Sequence, residues 1–241
     1  MSSEASGTGR LRSVKTPRQA RSRRSLDRIL DATRELLEDR SFDQISIAEI
    51  VARAGSSVGV FYSRFADKQA LLDCLDELYA LDVIRELGGL AESWQKRRPS
   101  LQEMVEEATR RLITFHRARR GLVRALILHA RLHVDGPFAE RTRRMQRQPG
   151  IADALLAHRD EIDHPDPERA ARFSLVQALT AVREHVLFAE GPAAIVPLDG
   201  EALAREVERA WLAYLRGPAP PFAPGPRSRS HSPSTHRKGR P

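Results

Sequence analysis

Between residues 24 and 216 the apolar positions recur at helical spacing, and no convincing strand alternation appears. Leu26, Ile29, Leu30, Leu36 and Leu37 share one face, which predicts a first helix over about 24–40. Ser46-Ile-Ala-Glu49 has the spacing of a capping box, in which the serine hydroxyl satisfies the Glu49 amide and the Glu49 side chain reaches back. It opens a short helix that ends near Ala54, where Gly55 tolerates positive φ. Ser57 caps a second short helix, to about Phe65. Asp67 caps a longer one carrying Leu71, Leu72, Leu75, Leu78 and Tyr79, expected to reach Leu87 before Gly88-Gly89 weakens it.

The second half uses the same grammar. Ser100-Leu-Gln-Glu103 is another capping box, followed by Leu101, Met104, Val105, Ala108, Leu112 and Phe115 on one face. Residues 121–134 are apolar nearly all round, as in a helix buried among neighbours. Pro137 suits the start of a helix over about 137–158, and Asp166-Pro167-Glu168 opens one that runs to about Glu190. Asp199 caps a last helix with Leu203, Val207, Ala210, Trp211, Tyr214 and Leu215 on one face. The expected fold is all-α with about nine helices.

Charge divides the chain further. The formal net charge is +8, but residues 1–25 hold seven Arg/Lys against one acid and residues 217–241 hold five against none. A mildly acidic body therefore sits between two basic ends, and basic ends of this kind meet nucleic acid or stay solvated. Residues 1–21 read as a disordered basic arm. Residues 217–241, rich in Pro, Ser and Arg, read as a disordered tail. The single cysteine, Cys74, excludes an internal disulfide framework and a cysteine-cluster zinc site, and suits a reducing cytoplasm. No run approaches the roughly 18 apolar residues of a membrane span, so no membrane partner is expected.

The segment from Ser46 to Phe65, SIAEIVARAGSSVGVFYSRF, is a short helix, a tight turn and a second short helix. That is the spacing of a helix-turn-helix, although an ordinary helical corner shares it. Local charge gives little support, since residues 26–78 hold six basic and eleven acidic side chains. The wider set of residues is more specific. Ile29-Leu-Asp-Ala-Thr-Arg-Glu-Leu-Leu37, Ile47-Ala-Glu-Ile50, Ala54-Gly55-Ser-Ser57, Gly59-Val-Phe-Tyr62, Arg64-Phe65, Asp67-Lys68 and Leu71-Leu72 resemble the N-terminal domain of the TetR family of transcriptional regulators.

The resemblance covers about residues 22–82 and implies a three-helix DNA-binding domain, with residues 83–216 as a helical ligand-binding and dimerisation domain. It implies a DNA-contact set of Ser46, Ser56, Ser57, Val58, Gly59, Val60, Tyr62, Ser63, Arg64 and Lys68, with Arg23 and Arg24 from the preceding segment. Lys68 and Tyr62 would reach phosphate, Gly59 would permit close approach, and Phe61 and Phe65 would pack the domain. Three positions depart from the family's common residues: Ser56, Val60 and Arg64. Val60 loses a hydroxyl but suits a thymine methyl, and Arg64 keeps a phosphate donor. The resemblance also implies that the last two helices pair with their copies in a homodimer, through Phe173, Val176, Leu187, Phe188, Trp211 and Tyr214.

The implied function is a ligand-responsive regulator of transcription, most often a repressor, binding a pseudo-palindromic site on double-stranded DNA as a homodimer. The rival is a helical enzyme or interaction module whose helix-turn-helix is structural; no catalytic constellation and no cofactor motif is visible. A small-molecule effector, mainly apolar with one acidic group at most, is expected among Phe115, Leu126, Ile127, His129, Arg131 and Val182. His129 and His133 have the i, i+4 spacing of half a metal site, with a polar lining as the plainer reading and no metal expected. His116 and His185 flank apolar faces. Arg124 and Arg131, on the most apolar helix, need a carboxylate partner, solvent or an anionic ligand. The acids Glu161, Asp163, Asp166 and Glu168 read as solvated caps.

Overall fold

The computed structural model describes residues 20–132, 150–188 and 196–217, and these hold nine α-helices and no strand. They are α1 (Ala20–Asp39), α2 (Ile47–Arg53), α3 (Val58–Tyr62), α4 (Lys68–Arg97), α5 (Leu101–Arg117), α6 (Arg120–Leu132), α7 (Ile151–Leu155), α8 (Pro167–Phe188) and α9 (Gly200–Arg216). The basic arm before residue 20, His133, the expected helix start at Pro137 and the tail beyond residue 217 lie outside the described residues.

The predicted caps form as expected. Ser46 Oγ accepts from the Glu49 amide at 3.2 Å, and Glu49 Oε2 accepts from the Ser46 amide at 2.8 Å. Ser100 and Glu103 repeat the exchange at the start of α5. The carboxylates of Asp67 and Asp199 accept the amides of Ala70 and Ala202, each at 2.8 Å. Gly55 has φ 55°, the left-handed turn that closes α2.

Several elements differ from expectation: α3 ends at Tyr62 rather than near Phe65, extended backbone at Gly150 breaks the helix expected over 137–158, and α4 and α6 differ as well. Helix α4 does not weaken at Gly88-Gly89 but continues to Arg97. Leu90, Ala91 and Trp94, beyond the glycines, are buried in the core, and the Trp94 indole N–H donates to Glu107 Oε2 at 2.8 Å. That packing outweighs the helix-weakening effect of two glycines, about 0.8–1.0 kcal/mol each. Arg98, in the left-handed region at φ 52°, and Pro99 end the helix instead.

Two cores result. The first joins α1, α2, α3 and the start of α4 around Ile29, Leu37, Ile50, Phe61, Phe65 and Leu71. The second joins the rest of α4 with α5, α7, α8 and α9 around Leu101, Met104, Leu112, Val182, Leu203 and Trp211. Tyr79, partly buried on α4, packs against both. The expected boundary at residues 82–83 falls inside the unbroken α4.

Helix α6 also serves both cores. Its Leu122, Ala125 and Leu126 belong to the first, while Val123 belongs to the second. It is not apolar-buried all round as its sequence suggests, because Leu128 and Leu132 are exposed in its last turns. The α1–α6 crossing is close: a Cβ on Gly121 would lie 2.2 Å from the Leu37 carbonyl oxygen. Arg124 donates to the Leu37 and Glu38 carbonyls at 3.1 and 3.2 Å, and the Glu38 carboxylate accepts the Gly121 amide at 3.3 Å. The C-terminus of α1 and the N-terminus of α6 thus satisfy each other's open backbone groups.

Candidate nucleic-acid interface

Helix α3 is amphipathic over only five residues. Phe61 turns inward and is fully buried, with Phe65 beside it at 5.3 Å between ring centroids. The opposite face carries Val58, 46% exposed, and Tyr62, 52% exposed, with Gly59 and Ser63 between their turns. Ser57 caps the helix by accepting the Val60 amide at 3.3 Å. The α2–α3 turn, the α3 start and the outer α3 face therefore form one exposed surface of small and apolar side chains.

Most of the expected contact set lies on this surface. Ser46, Ser57, Val58, Gly59, Tyr62 and Ser63 are exposed, Ser56 and Arg64 are half-buried, and Arg23 and Arg24 are exposed in the first turns of α1. Two members sit differently. Val60 is half-buried and packs against the first core, so Val58 and not Val60 is the outward aliphatic side chain. The Lys68 ammonium donates to the carbonyls of Phe42 and Ile45 at 2.9 and 3.0 Å and lies over the Phe42 ring. These contacts fasten the α1–α2 connection to the start of α4.

Neighbouring charges tie α2 to α1 and to the connection between them. Arg40 pairs with Glu49 at 2.5 Å, and that pairing, with the Ser46 hydrogen bonds, holds the Glu49 carboxyl down at about 2. Arg53 of α2 pairs with Glu35 of α1 at 3.3 Å. Arg28, exposed on α1, places its guanidinium 3.8 Å from where a Gly55 Cβ would stand. It is a cation at the edge of this exposed surface and lies outside the expected contact set. Its signal was its place four residues after Arg24, on the same helix face.

A Cβ on Gly59 would meet nothing nearer than Ser57 Oγ at 4.0 Å. Nothing inside the subunit requires a glycine there.

The other expected residues scatter. Phe115 and Val182 are buried; Leu126 packs in the first core and Ile127 against the second. His129 lies 3.1 Å from Gln69 Nε2, and Arg131 is exposed. Phe115 lines a cavity with Glu86 and Arg119, while His129 lines a separate one with Arg124 and Leu128. His116 is a core histidine: its Nδ1–H donates to the Leu112 carbonyl at 2.7 Å and its Nε2 accepts Arg183 Nε–H at 3.2 Å. Burial lowers its pKa to about 4. His185 bonds the Ala181 carbonyl, and Glu161 takes an ion pair from Arg216. Among the described residues no three metal-ligating side chains converge, and no helix is long and apolar enough to cross a membrane.

The expected dimer residues also divide. Trp211 is 2% exposed and donates its indole N–H to the buried Ser174 hydroxyl at 2.8 Å. Leu187 is equally buried, and Phe188 packs partly against the same core. Phe173 and Val176 instead stand out from α8 at 49% and 57% exposure, and Tyr214 lies beside Phe173 at 5.6 Å between centroids.

Comparison with known proteins agrees with this architecture. Residues 29–75 match the family of bacterial regulatory proteins of the tetR type. An uncharacterised HTH-type transcriptional regulator of Bacillus subtilis, YvdT, is 35% identical over 72 residues. That stretch is 28% of this chain and 37% of the relative, so the match spans little more than a third of the relative's length. A candidate TetR-family transcriptional regulator from Mesorhizobium loti superposes with TM-score 0.61 at 20% identity, over 82% of this chain and 98% of that one. The regulator FadR from Bacillus subtilis, solved in complex with stearoyl-CoA, gives TM-score 0.56 at 16% identity, over 79% and 98%. The fatty acid degradation regulator FadR from Bacillus halodurans gives 0.56 at 17%, over 84% and 98%.

Proposed function

We infer from its place in the TetR family of transcriptional regulators that this chain binds a specific double-stranded DNA site in the cytoplasm, as a homodimer whose grip is set by a small-molecule effector. The observation that carries the reading is the outer face of α3, a family-matched helix that exposes Val58, Gly59 and Tyr62 while Phe61 anchors it. In this reading residues 22–82 bind DNA and residues 83–216 bind the effector and the partner copy. A helix of this kind enters the major groove, and two copies related by a dyad match half-sites one turn of DNA apart, about 34–36 Å. Val58 and Tyr62 face the base edges and backbone, Gly59 lets the helix axis come close, and Arg23, Arg24 and Arg28 neutralise phosphates.

Release follows from the shared helix α6. It is packed into the core of the reading domain and the core of the regulatory half at once. An effector that binds better to one α4–α6 arrangement shifts the spacing of the two reading helices by that difference in affinity. The FadR neighbour that holds stearoyl-CoA supports an effector site within the same architecture. Repression is the sign of regulation we assign, because a bound dimer that leaves on effector binding frees the site. The test is selection of binding sites from random DNA with the purified full chain. Enrichment of an inverted repeat with half-site centres one turn apart is expected. Enrichment of nothing, or of an unpaired half-site, would overturn the reading.

A further inference from the structure

Gly88 and Gly89 sit inside α4, where each weakens the helix relative to alanine. Neither is needed for conformation, because among the described glycines only Gly55 takes a positive φ. Neither is needed for packing, because a Cβ at either position would have nothing within 4 Å. Both line a cavity of about 1280 Å³ between α4, α7 and α8. It exceeds the roughly 300–1,000 Å³ of common small-molecule sites, and it lies between helices, where bundles place such sites.

The walls state what would fit. Along α4 the lining runs from Val83 to Gln95, about 18 Å at 1.5 Å per residue. Its middle is Val83, Leu87, the two glycines and Ala91, faced by Ile151 and Leu175. The cations at the cavity are already committed: Arg172 pairs with Asp153 at 2.9 Å, and Arg85 pairs with Asp82. Glu92 and Gln95 are exposed, so they face water at one end. The lining holds two cations, Arg85 and Arg172, and two carboxylates, Glu92 and Asp153, so it offers neither an anionic nor a cationic head a net opposite charge, and single exposed ion pairs are worth little.

We propose that this cavity is the effector site and that it takes an elongated, uncharged lipophile whose chain lies along Gly88 and Gly89. The proposal rests on the effector-responsive reading above and differs from the sequence expectation in both place and charge. The site is not the set around His129 and Arg131, and the ligand is not an acid.

The test uses the full chain with decanol, decanoate and decylamine below their aggregation limits, read by thermal shift and by titration calorimetry. Decanol is expected to bind and raise the melting temperature more than either charged analogue. In Gly88→Leu and Gly89→Leu its affinity should fall about tenfold or more, equivalent to roughly 1.4 kcal/mol. Both variants should melt no lower than the parent, because leucine is the better helix former and the space is open. Preferred binding of decanoate or decylamine would overturn the uncharged class. Decanol binding that the leucines leave untouched, or no binding at all, would overturn the site. Release of selected DNA is measured in parallel. Decanol that binds as expected without releasing DNA would leave the site standing and sink the effector reading of the function.

Discussion

At the scale of the residue, a small side chain and a buried imidazole make testable demands. Gly59 lies in a helix with open space around its missing Cβ. Gly59→Ala should therefore keep or raise stability, by about 0.5–1 kcal/mol, through lower unfolded-state entropy. The same methyl stands where α3 would meet DNA, so affinity for the selected site should fall about tenfold or more, near 1.4 kcal/mol. Fluorescence anisotropy beside thermal melting separates the two effects, and unchanged affinity would show that α3 never approaches a duplex. His116 gives a pH dependence. Burial lowers its folded pKa to about 4 against an ordinary value of 6.5. A base depressed in the folded state takes up its proton first in the unfolded chain. The stability that neutral His116 contributes is thus complete above about pH 6.5 and is lost as pH falls toward 4. The full loss is on the order of 3 kcal/mol. Urea midpoints of the parent should drop across that window. His116→Gln should start lower but show a shallower slope, and equal slopes would place the titration elsewhere.

At the scale of the element, the α1–α6 crossing behaves differently from the glycine pair of α4. A Cβ on Gly121 meets the backbone of Leu37 and Glu38 within 2.2–2.6 Å, and a backbone has no rotamer to escape into. Gly121→Ala should push the helices apart and cost about 1–3 kcal/mol or more, with DNA affinity falling alongside. Gly88→Ala should gain about 0.5–1 kcal/mol instead. Urea denaturation of the two variants side by side checks the contrast, and a benign Gly121→Ala would mean the crossing can relax. The same elements show what the sequence makes legible. Ser46–Glu49, Ser100–Glu103, Asp67, Asp199 and Gly55 act through neighbours a few residues away, so a linear reading finds them. Gly88-Gly89 looked like a weak point because the packing of Leu90, Ala91 and Trp94 that carries α4 through it comes from distant segments. The division expected at residues 82–83 puts α6 in one half, since composition cannot tell which core each face serves. Val60 and Lys68 matched family positions, but their packing against Phe42 and the first core depends on the turn at residues 42–44. The cavity at α4 left no motif at all, because it consists of absent side chains.

At the scale of the whole molecule, charge and association remain. Residues 26–78 hold six basic and eleven acidic side chains, so for the proposed DNA binding the seven basic side chains of residues 1–25 are the source we assign for most counterion release. Deleting residues 1–19 removes Arg10, Arg12, Lys15 and Arg18 and should flatten the log K against log salt slope by up to roughly 0.9 per lost phosphate contact. An unchanged slope would make the arm a spectator. In the proposed dimer, association turns on which apolar residues of α8 and α9 the subunit has left over. Trp211 and Leu187 are spent inside it. Phe173 and Val176 are not, and exposed Ala210 and Ala213 on α9 allow a partner helix to come close. Trp211→Ala should thus act on folding, costing about 3–5 kcal/mol, rather than on dimerisation as a sequence reading suggests. The double variant Phe173→Asp, Val176→Asp should do the reverse. Its helicity by circular dichroism should match the parent, while light scattering at low micromolar concentration should report monomer. Affinity for a paired site should then fall toward that of a half-site, because the linked second contact is lost. A double variant that stays dimeric would move the interface off this face. One that loses its helicity would mean that α8 needs its partner in order to fold, and mixing it with the parent chain would distinguish rescue by a partner from a broken core.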